Sequence, residues 1–361
     1  MRKNISQKPG NFLVNTAITI LSIALALVAG EMFVRTWLPS PDYGVGKRPA
    51  TRNKLFMHDE LLGWKGSPNT SSPYISKDFQ VTVTNDALGY RNQSSPYIAG
   101  KKNYLLLGDS YAWGWGVEDN ETAASVLNRK HEEYNTYNLG VPGYGTDQEY
   151  LAMQRLNAEH PDLKYDGVVL LFYLNDFENI ISRESHLYAK PAFILDASGK
   201  LQLQNVPVPK NNIPPFSITD KPPEQSFLEH SQLANIVGYS ILSIYFAMTS
   251  GPDPEAGKPV VINQQQKDSI TLATAIIADL KRYCTEKNME FHVVFLITVN
   301  TDQLPATMIA ALAKNLNQQN INHSYFYSRT FPRTDLWLDT HYTPYGQSLL
   351  ADHISEIISP K

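Results

Sequence analysis

Nineteen consecutive residues, Phe12 to Gly30 (FLVNTAITILSIALALVAG), carry no charge. That approaches the roughly 20 apolar residues a helix needs to cross a bilayer. Arg2, Lys3 and Lys8 precede the run with no acid among them, and Glu31 and Arg35 close it. The pattern predicts an uncleaved membrane anchor over 12–30, behind a cytoplasmic segment 1–11. Two other readings compete. A cleavable signal peptide would need a small-residue site, and Ala24-Leu25-Ala26 lies inside the apolar run. A helix buried in a soluble domain is the third. Arg35, Lys47 and Arg48 balance the basic residues on the other flank. The free amino terminus and the tighter basic cluster then favour the N-terminus inside. The rest of the chain is expected in the periplasm or outside, with a single membrane pass.

Beyond the anchor, residues 31–55 (LPSPDYGVGKRP at their centre) read as a stalk, and 56–100 as an N-terminal preamble. Within the preamble, Phe79 to Thr84 alternates as a strand does, and Leu88-Gly89-Tyr90-Arg91 follows a turn signal. From Asn103 short apolar runs alternate with helical stretches. Strands are predicted at Tyr104–Leu107, Tyr137–Leu139, Gly167–Leu174, Phe291–Ile297 and Ser324–Tyr327. Helices are predicted over 121–130, 147–157, 269–287, 305–317 and 345–358. GVVLLFYL at 167–174 is apolar throughout, as suits a strand covered on both faces of a parallel sheet. Residues 184–262 interrupt the alternation with six prolines between Pro207 and Pro223, and an apolar helical stretch follows over Phe227–Met248. Such a length exceeds an ordinary connection, so it reads as an insertion or cap. The expected fold is α/β: a doubly wound parallel sheet of about five strands, assembled from 101–183 and 263–361.

Composition narrows the function. Lys and Arg number 31 against 35 Asp and Glu, a net charge of −4, which argues against an electrostatic nucleic-acid binder. Cys284 is the single cysteine, so neither an internal disulfide nor a cysteine-based zinc site can form. The histidines show no H-x-x-x-H or H-E-x-x-H spacing, and no metal or cofactor is expected.

In a doubly wound sheet the ligand sits at the carboxyl ends of the strands. Polar residues gather at those ends: Gly108-Asp109-Ser110 after the first strand, the Gly140–Gly145 loop after the second, and Asn175-Asp176 after the third. Asp339-Thr340-His341 precedes the last helix. A serine hydroxyl becomes a nucleophile only with a base in hydrogen-bond reach, and an imidazole titrates in the right range. His341 can be that base, with Asp339 holding its tautomer. The oxyanion formed on an ester carbonyl needs preorganised donors, and the Ser110 N–H, the Gly143 N–H and the Asn175 side-chain amide are candidates.

GDSY at 108–111, NLGVPGYG at 138–145, LNDF at 174–177 and DTH at 339–341 together resemble the four blocks of the SGNH (GDSL) hydrolase superfamily, in that family's order. The resemblance covers roughly 100–183 and 264–358. It implies a flavodoxin-like three-layer α/β/α fold and serine esterase or acyltransferase chemistry. Ser110 would be the nucleophile, His341 the base, Asp339 the acid, and Gly143 and Asn175 the oxyanion partners. Many members place the acid three residues before the histidine, where this chain has Leu338. The D-x-H spacing is similar to that of SGNH-like proteins that acetylate bacterial exopolysaccharides such as alginate. No G-x-S-x-G elbow surrounds Ser110, which disfavours the α/β-hydrolase superfamily.

Other residues keep two readings each. Trp113, Trp115 and Tyr144 could line a carbohydrate cleft or pack beneath the loops. Asp109 could touch substrate or orient its turn. Arg91 could meet an anionic polymer or form a salt bridge within the preamble. His353 reads as a surface or semi-buried helix residue and not as a base. The function expected is removal or transfer of an acyl group, acetyl first, on an extracytoplasmic polysaccharide, with a membrane-bound O-acyltransferase as partner. A lipolytic or thioester hydrolase and a non-catalytic glycan-binding scaffold are the alternatives.

Overall fold

The structure, a computed structural model, describes residues 9–37, 55–75, 79–185, 188–210, 261–298, 303–328 and 341–359. Helix α1 spans Pro9–Trp37. Its stretch Val14–Phe33 is 20 residues long with a mean hydropathy of 1.9 and none of it buried. This is long and apolar enough to cross a membrane, as a signal sequence can also be. Inside it Thr19 Oγ1 donates to the Asn15 carbonyl at 2.8 Å, so the hydroxyl is satisfied without water.

A second unit contains all described residues from 55 onward. Two hairpins come first: β1 (Phe56–Asp59) with β2 (Gly63–Gly66), and β3 (Thr70–Ile75) with β4 (Gln80–Asn85), both antiparallel. The central strands follow as β5 (Lys102–Leu107), β6 (Tyr134–Asn138) and β7 (Gly167–Phe172). Between them lie α2 (Ser110–Trp113), α3 (Ala123–Lys130) and α4 (Thr146–Glu159), and α5 (Asp176–Asn179) comes after. Two short antiparallel ladders come next, β8 (Glu184–Ser185) with β9 (Tyr188–Ala189), and β10 (Ala192–Leu195) with β11 (Leu201–Gln204). The chain then returns to the sheet through α6 (Gln264–Glu286), β12 (Glu290–Ile297), α7 (Gln303–Gln318), β13 (His323–Tyr327) and α8 (Pro344–Ile358). The predicted Phe227–Met248 helix and most of the insertion lie outside the described residues, as does the stalk from 38 to 54.

The sheet order is β13-β12-β7-β5-β6, every pair parallel. Counted along the chain this is the flavodoxin-like order 2-1-3-4-5, and the order reverses between β5 and β7. Alternate residues feed opposite layers, as the pleat requires. Leu105, Leu170 and Phe295 join one core with α4, α6 and α7; Leu106, Leu171 and Val294 join the other with α3 and α8.

Boundaries moved where tertiary bonds intervened. Strand β6 starts at Tyr134, three residues before the expected start, although YNTYN is polar. All five residues are buried, because Asn135 donates to the Ser95 carbonyl and the Asn103 side chain, while the Thr136 N–H reaches Asn128 Oδ1. Helix α3 starts at Ala123, since the Thr122 side chain caps it by accepting from the Ser125 N–H. The hairpins of 56–100 are built into the same core as the sheet: Trp64, Tyr74, Val83 and Tyr90 pack in one cluster with Leu105 and Tyr137.

Candidate active site

Strand β5 delivers Gly108, Asp109 and Ser110 to the switch point, and β7 delivers Asn175 beside it. Gly108 is required by crowding: a Cβ there would lie 2.7 Å from that of Ala112 and 3.2 Å from that of Leu171. Asp109 caps α2, its Oδ1 accepting from the Tyr111 N–H at 2.9 Å. Its Oδ2 accepts from the Asn175 side-chain amide at 2.8 Å. One carboxylate thus ties the serine turn to the asparagine. Ser110 Oγ lies 2.8 Å from His341 Nε2, across 231 residues of chain.

The Gly140–Gly145 loop closes over this turn. The Gly140 N–H donates to Asn138 Oδ1, and the same asparagine's amide donates to the Ala112 carbonyl at 2.6 Å. A Cβ on Gly140 would meet the Trp113 nitrogen at 2.5 Å. The Val141 N–H reaches the Gly108 carbonyl at 3.2 Å. Gly143 has φ +77°, a left-handed conformation that favours glycine, and its carbonyl accepts from Ser185 Oγ. Ser110, Asn175, Trp115 and His341 are half-buried, and Gly143 is buried. The structure therefore brings Ser110, His341 and Asn175 together at one sheet edge, with the Gly143 loop anchored to it. Asp339 lies outside the described residues.

The remaining expectations sort by burial. Trp113 is 2% exposed, packed against Phe56 and Tyr74, with the Arg91 guanidinium 4.8 Å above its ring. Tyr144 is fully buried and donates its hydroxyl to the Trp64 carbonyl. Both rings are covered, so packing rather than ligand contact describes them. Asp109 is buried as well and orients its turn. Arg91 forms a salt bridge to Asp119 at 2.7 Å and donates to the Gly114 and Val117 carbonyls.

Beneath the site lie Asp176, which the LNDF block contains, and Asp147, Glu149 and Lys190, which the sequence motifs did not single out. Asp176 accepts from the Thr146 N–H and hydroxyl and from the Tyr173 N–H. Asp147 pairs with Lys190 at 2.5 Å, both side chains fully buried. Glu149 is 0% exposed and neither of its oxygens has a hydrogen-bond partner. Burial, then the neighbouring Asp176, Asp109 and Asp147, pushes its carboxyl well above the usual range. Burial and then Asp109 do the same to Asp176. Burial raises Asp109 too, opposed by the Tyr111 N–H, the Asn175 amide and His341. Asp147 and Glu149 in the first turn of α4, just ahead of its apolar stretch 150–153, were the trace in the sequence. Among the described residues no group of three His, Cys, Asp or Glu side chains is arranged to hold a metal ion. A separate groove of about 1350 Å³ opens at the amino-terminal end of the sheet, lined by Lys102, Glu290, Asn322 and others, and shares no residue with the Ser110 site.

The fold and site define a flavodoxin-order α/β/α domain with a serine–histidine pair at its switch point. No family model and no curated protein matches the chain. Among solved structures it is similar to a psychrotrophic esterase from Pseudoalteromonas sp. (13% identity, 71% of this chain and 96% of that one, TM-score 0.37). It is also similar to a member of the lipolytic protein G-D-S-L family from Veillonella parvula (10%, 71% and 97%, TM-score 0.37). A third is an acetyl xylan esterase from the rumen bacterium Butyrivibrio proteoclasticus (10%, 74% and 66%, TM-score 0.36). Likeness at this level assigns no residue role.

Proposed function

We propose that the protein is a serine-dependent acyl-ester hydrolase or O-acyltransferase that handles acetyl groups on a cell-envelope or secreted polysaccharide. Helix α1 would hold it at the bacterial inner membrane with the α/β unit in the periplasm. The observation that carries the chemistry is the 2.8 Å contact between Ser110 Oγ and His341 Nε2 at the sheet's switch point. The polysaccharide assignment draws on the D-x-H spacing and the apolar N-terminal helix.

The steps follow from the groups present. Ser110 Oγ attacks the ester carbonyl carbon while His341 Nε2 takes the hydroxyl proton. The carbonyl oxygen becomes an oxyanion, received by the Ser110 and Gly143 N–H groups and the second hydrogen of the Asn175 amide. The C–O bond to the alcohol breaks as the alcohol takes the proton from His341, which leaves acyl-Ser110. Water or a sugar hydroxyl then gives its proton to His341 and attacks the acyl carbon; as the acyl–Oγ bond breaks, His341 returns the proton to Ser110 Oγ. Asp339 would accept from His341 Nδ1 and hold the tautomer. A membrane-bound O-acyltransferase is the partner class that would supply acyl groups for transfer.

A fluorophosphonate probe should label Ser110, and an acetyl–Ser110 adduct should be visible by mass spectrometry after incubation with acetyl donors. Ser110→Ala should lose both and slow p-nitrophenyl acetate hydrolysis by at least about a thousandfold. A folded wild-type protein that never labels would instead indicate a glycan-binding scaffold. A rate climbing steadily from C2 to C10 esters would favour the lipolytic reading.

A further inference from the structure

Two aromatic rings lie nearly parallel to the His341 imidazole. Tyr111 stacks with its centroid at 4.8 Å and 27° between planes, and Trp115 at 5.1 Å and 23°. Tyr111 belongs to α2 and is fixed by the helix. Trp115 sits on a loop outside any helix or strand, so something else must hold its indole in place.

The holding is elaborate. Gly114 has φ +86° and ends α2 after one turn, its N–H donating to the Ser110 carbonyl; the Trp115 N–H reaches the same oxygen at 3.0 Å. Gly116 is also left-handed, at φ +77°. A Cβ on Gly114 would lie 2.7 Å from Thr122 Cγ2. The loop backbone is then gripped from the interior: Arg91 donates to the Gly114 carbonyl at 2.6 Å, to Val117 at 2.5 Å and to Trp113 at 3.4 Å, while Asp119 holds its Nε. The indole itself is seated by the β3–β4 hairpin. Tyr74 meets it edge-on at 5.2 Å and Phe79 at 6.0 Å. The hairpin is in turn tied to the loop beyond Trp115, with the Thr82 N–H donating to Glu118 and the Thr84 N–H to Asp119.

A ring seated on two sides and laid flat on His341 acts on that imidazole. During turnover His341 alternates between imidazole and imidazolium, and the face of an indole attracts a cation more strongly than a neutral ring. We propose that Trp115 is a positioning residue for His341, fixing the imidazole plane toward Ser110 and favouring its protonated form as Ser110 attacks the ester. The assignment rests on the reading of Ser110 and His341 as nucleophile and base. It gives residues 56–100 a part in catalysis through Tyr74, Phe79 and Arg91. The Asp109 carboxyl also acts on His341 through its charge, so it stays unchanged in every variant below.

The test is the pH dependence of kcat/KM on p-nitrophenyl acetate for wild type, Trp115→Phe and Trp115→Leu. Loss of the aromatic face in Trp115→Leu should lower the plateau about threefold to thirtyfold and move the acidic limb to lower pH by about half a unit to one unit. Trp115→Phe, which keeps a ring, should recover most of both. A fall in rate with the acidic limb unmoved, or equal losses in the two variants, overturns the proposal, because either result describes a wall of the site and not a partner of the base. Should Trp115→Leu fail to fold, Trp115→Met removes the ring while filling its space. The His341 titration followed by NMR in the Ser110→Ala background then reads the same shift, and an unshifted titration overturns it. Probe labelling of Ser110 separates the two levels. A labelled serine with an unmoved limb overturns the Trp115 assignment alone; an unlabelled serine with no hydrolysis overturns the parent reading and this one with it.

Discussion

At the scale of single residues, the site depends on buried groups whose partners differ sharply in number. Asp176 has three donors, Asp109 two, and Glu149 none. A carboxylate buried without a donor beside Asp176, Asp109 and Asp147 is very costly, so the neutral form of Glu149 is favoured. The sign follows from linkage: an acid whose folded-state pKa is raised supports the fold fully at pH values below the ordinary value near 4.5, and loses that support as pH rises toward the folded-state value. Glu149→Gln keeps the shape and removes the titration. Its melting temperature relative to wild type should therefore improve as pH rises from 4.5 to 7, measured by thermal denaturation across that range. A gain that is flat with pH would mean that Glu149 is ionised in the fold and has a partner. Cys284 illustrates the opposite case of a group the chemistry does not use, because burial pushes its thiol up to about 12 and leaves it inert.

At the scale of elements, the loops at the carboxyl edge are held by side chains from distant parts of the chain. Arg91 comes from the turn after β4 yet organises the loop that follows α2. Its charge is fully covered and every nitrogen has a protein acceptor. Arg91→Met would leave the Asp119 carboxylate and three carbonyls short of a donor. Breaking a buried charged arrangement in this way should cost about 3–5 kcal/mol in stability, measured by urea unfolding. Esterase activity should fall more than stability requires, since the Trp115 loop loses its template. The sequence made the strands visible because apolar runs such as GVVLLF stand out against their surroundings. It concealed β6, whose polar residues find partners such as Ser95, Asn103, Asn128 and Ala112 only in the folded chain. It also suggested a preamble set apart from the catalytic unit, whereas those hairpins share the sheet's core and form one side of the site.

At the scale of the whole molecule, α8 is fastened to the sheet edge through a polar bridge. His353 Nε2 and His292 Nε2 each lie 3.0 Å from Ser324 Oγ, which links the helix to β13 and β12. Burial lowers the His353 pKa, opposed by Glu356. A histidine depressed in the fold supports it above the ordinary value near 6.5 and withdraws that support as pH falls toward the folded-state value. Stability should therefore decline below about pH 6.5, and His353→Gln should flatten that decline in denaturation measured from pH 7 to 5. Because α8 begins three residues after His341, loosening it should also displace that side chain from Ser110. The chain's pattern was enough to establish an apolar N-terminal helix, a five-stranded α/β sheet and the identity of a serine, a histidine and an asparagine at its edge. Those features are encoded locally, by run length, alternation and short motifs. Tertiary structure alone decided that Asp109 joins the serine turn to Asn175, that Trp113 and Tyr144 are covered while Trp115 stacks on His341, and that Arg91 and Glu149 are buried. Each of those outcomes depends on which distant segments meet, and a linear sequence does not specify contacts between residues dozens or hundreds of positions apart.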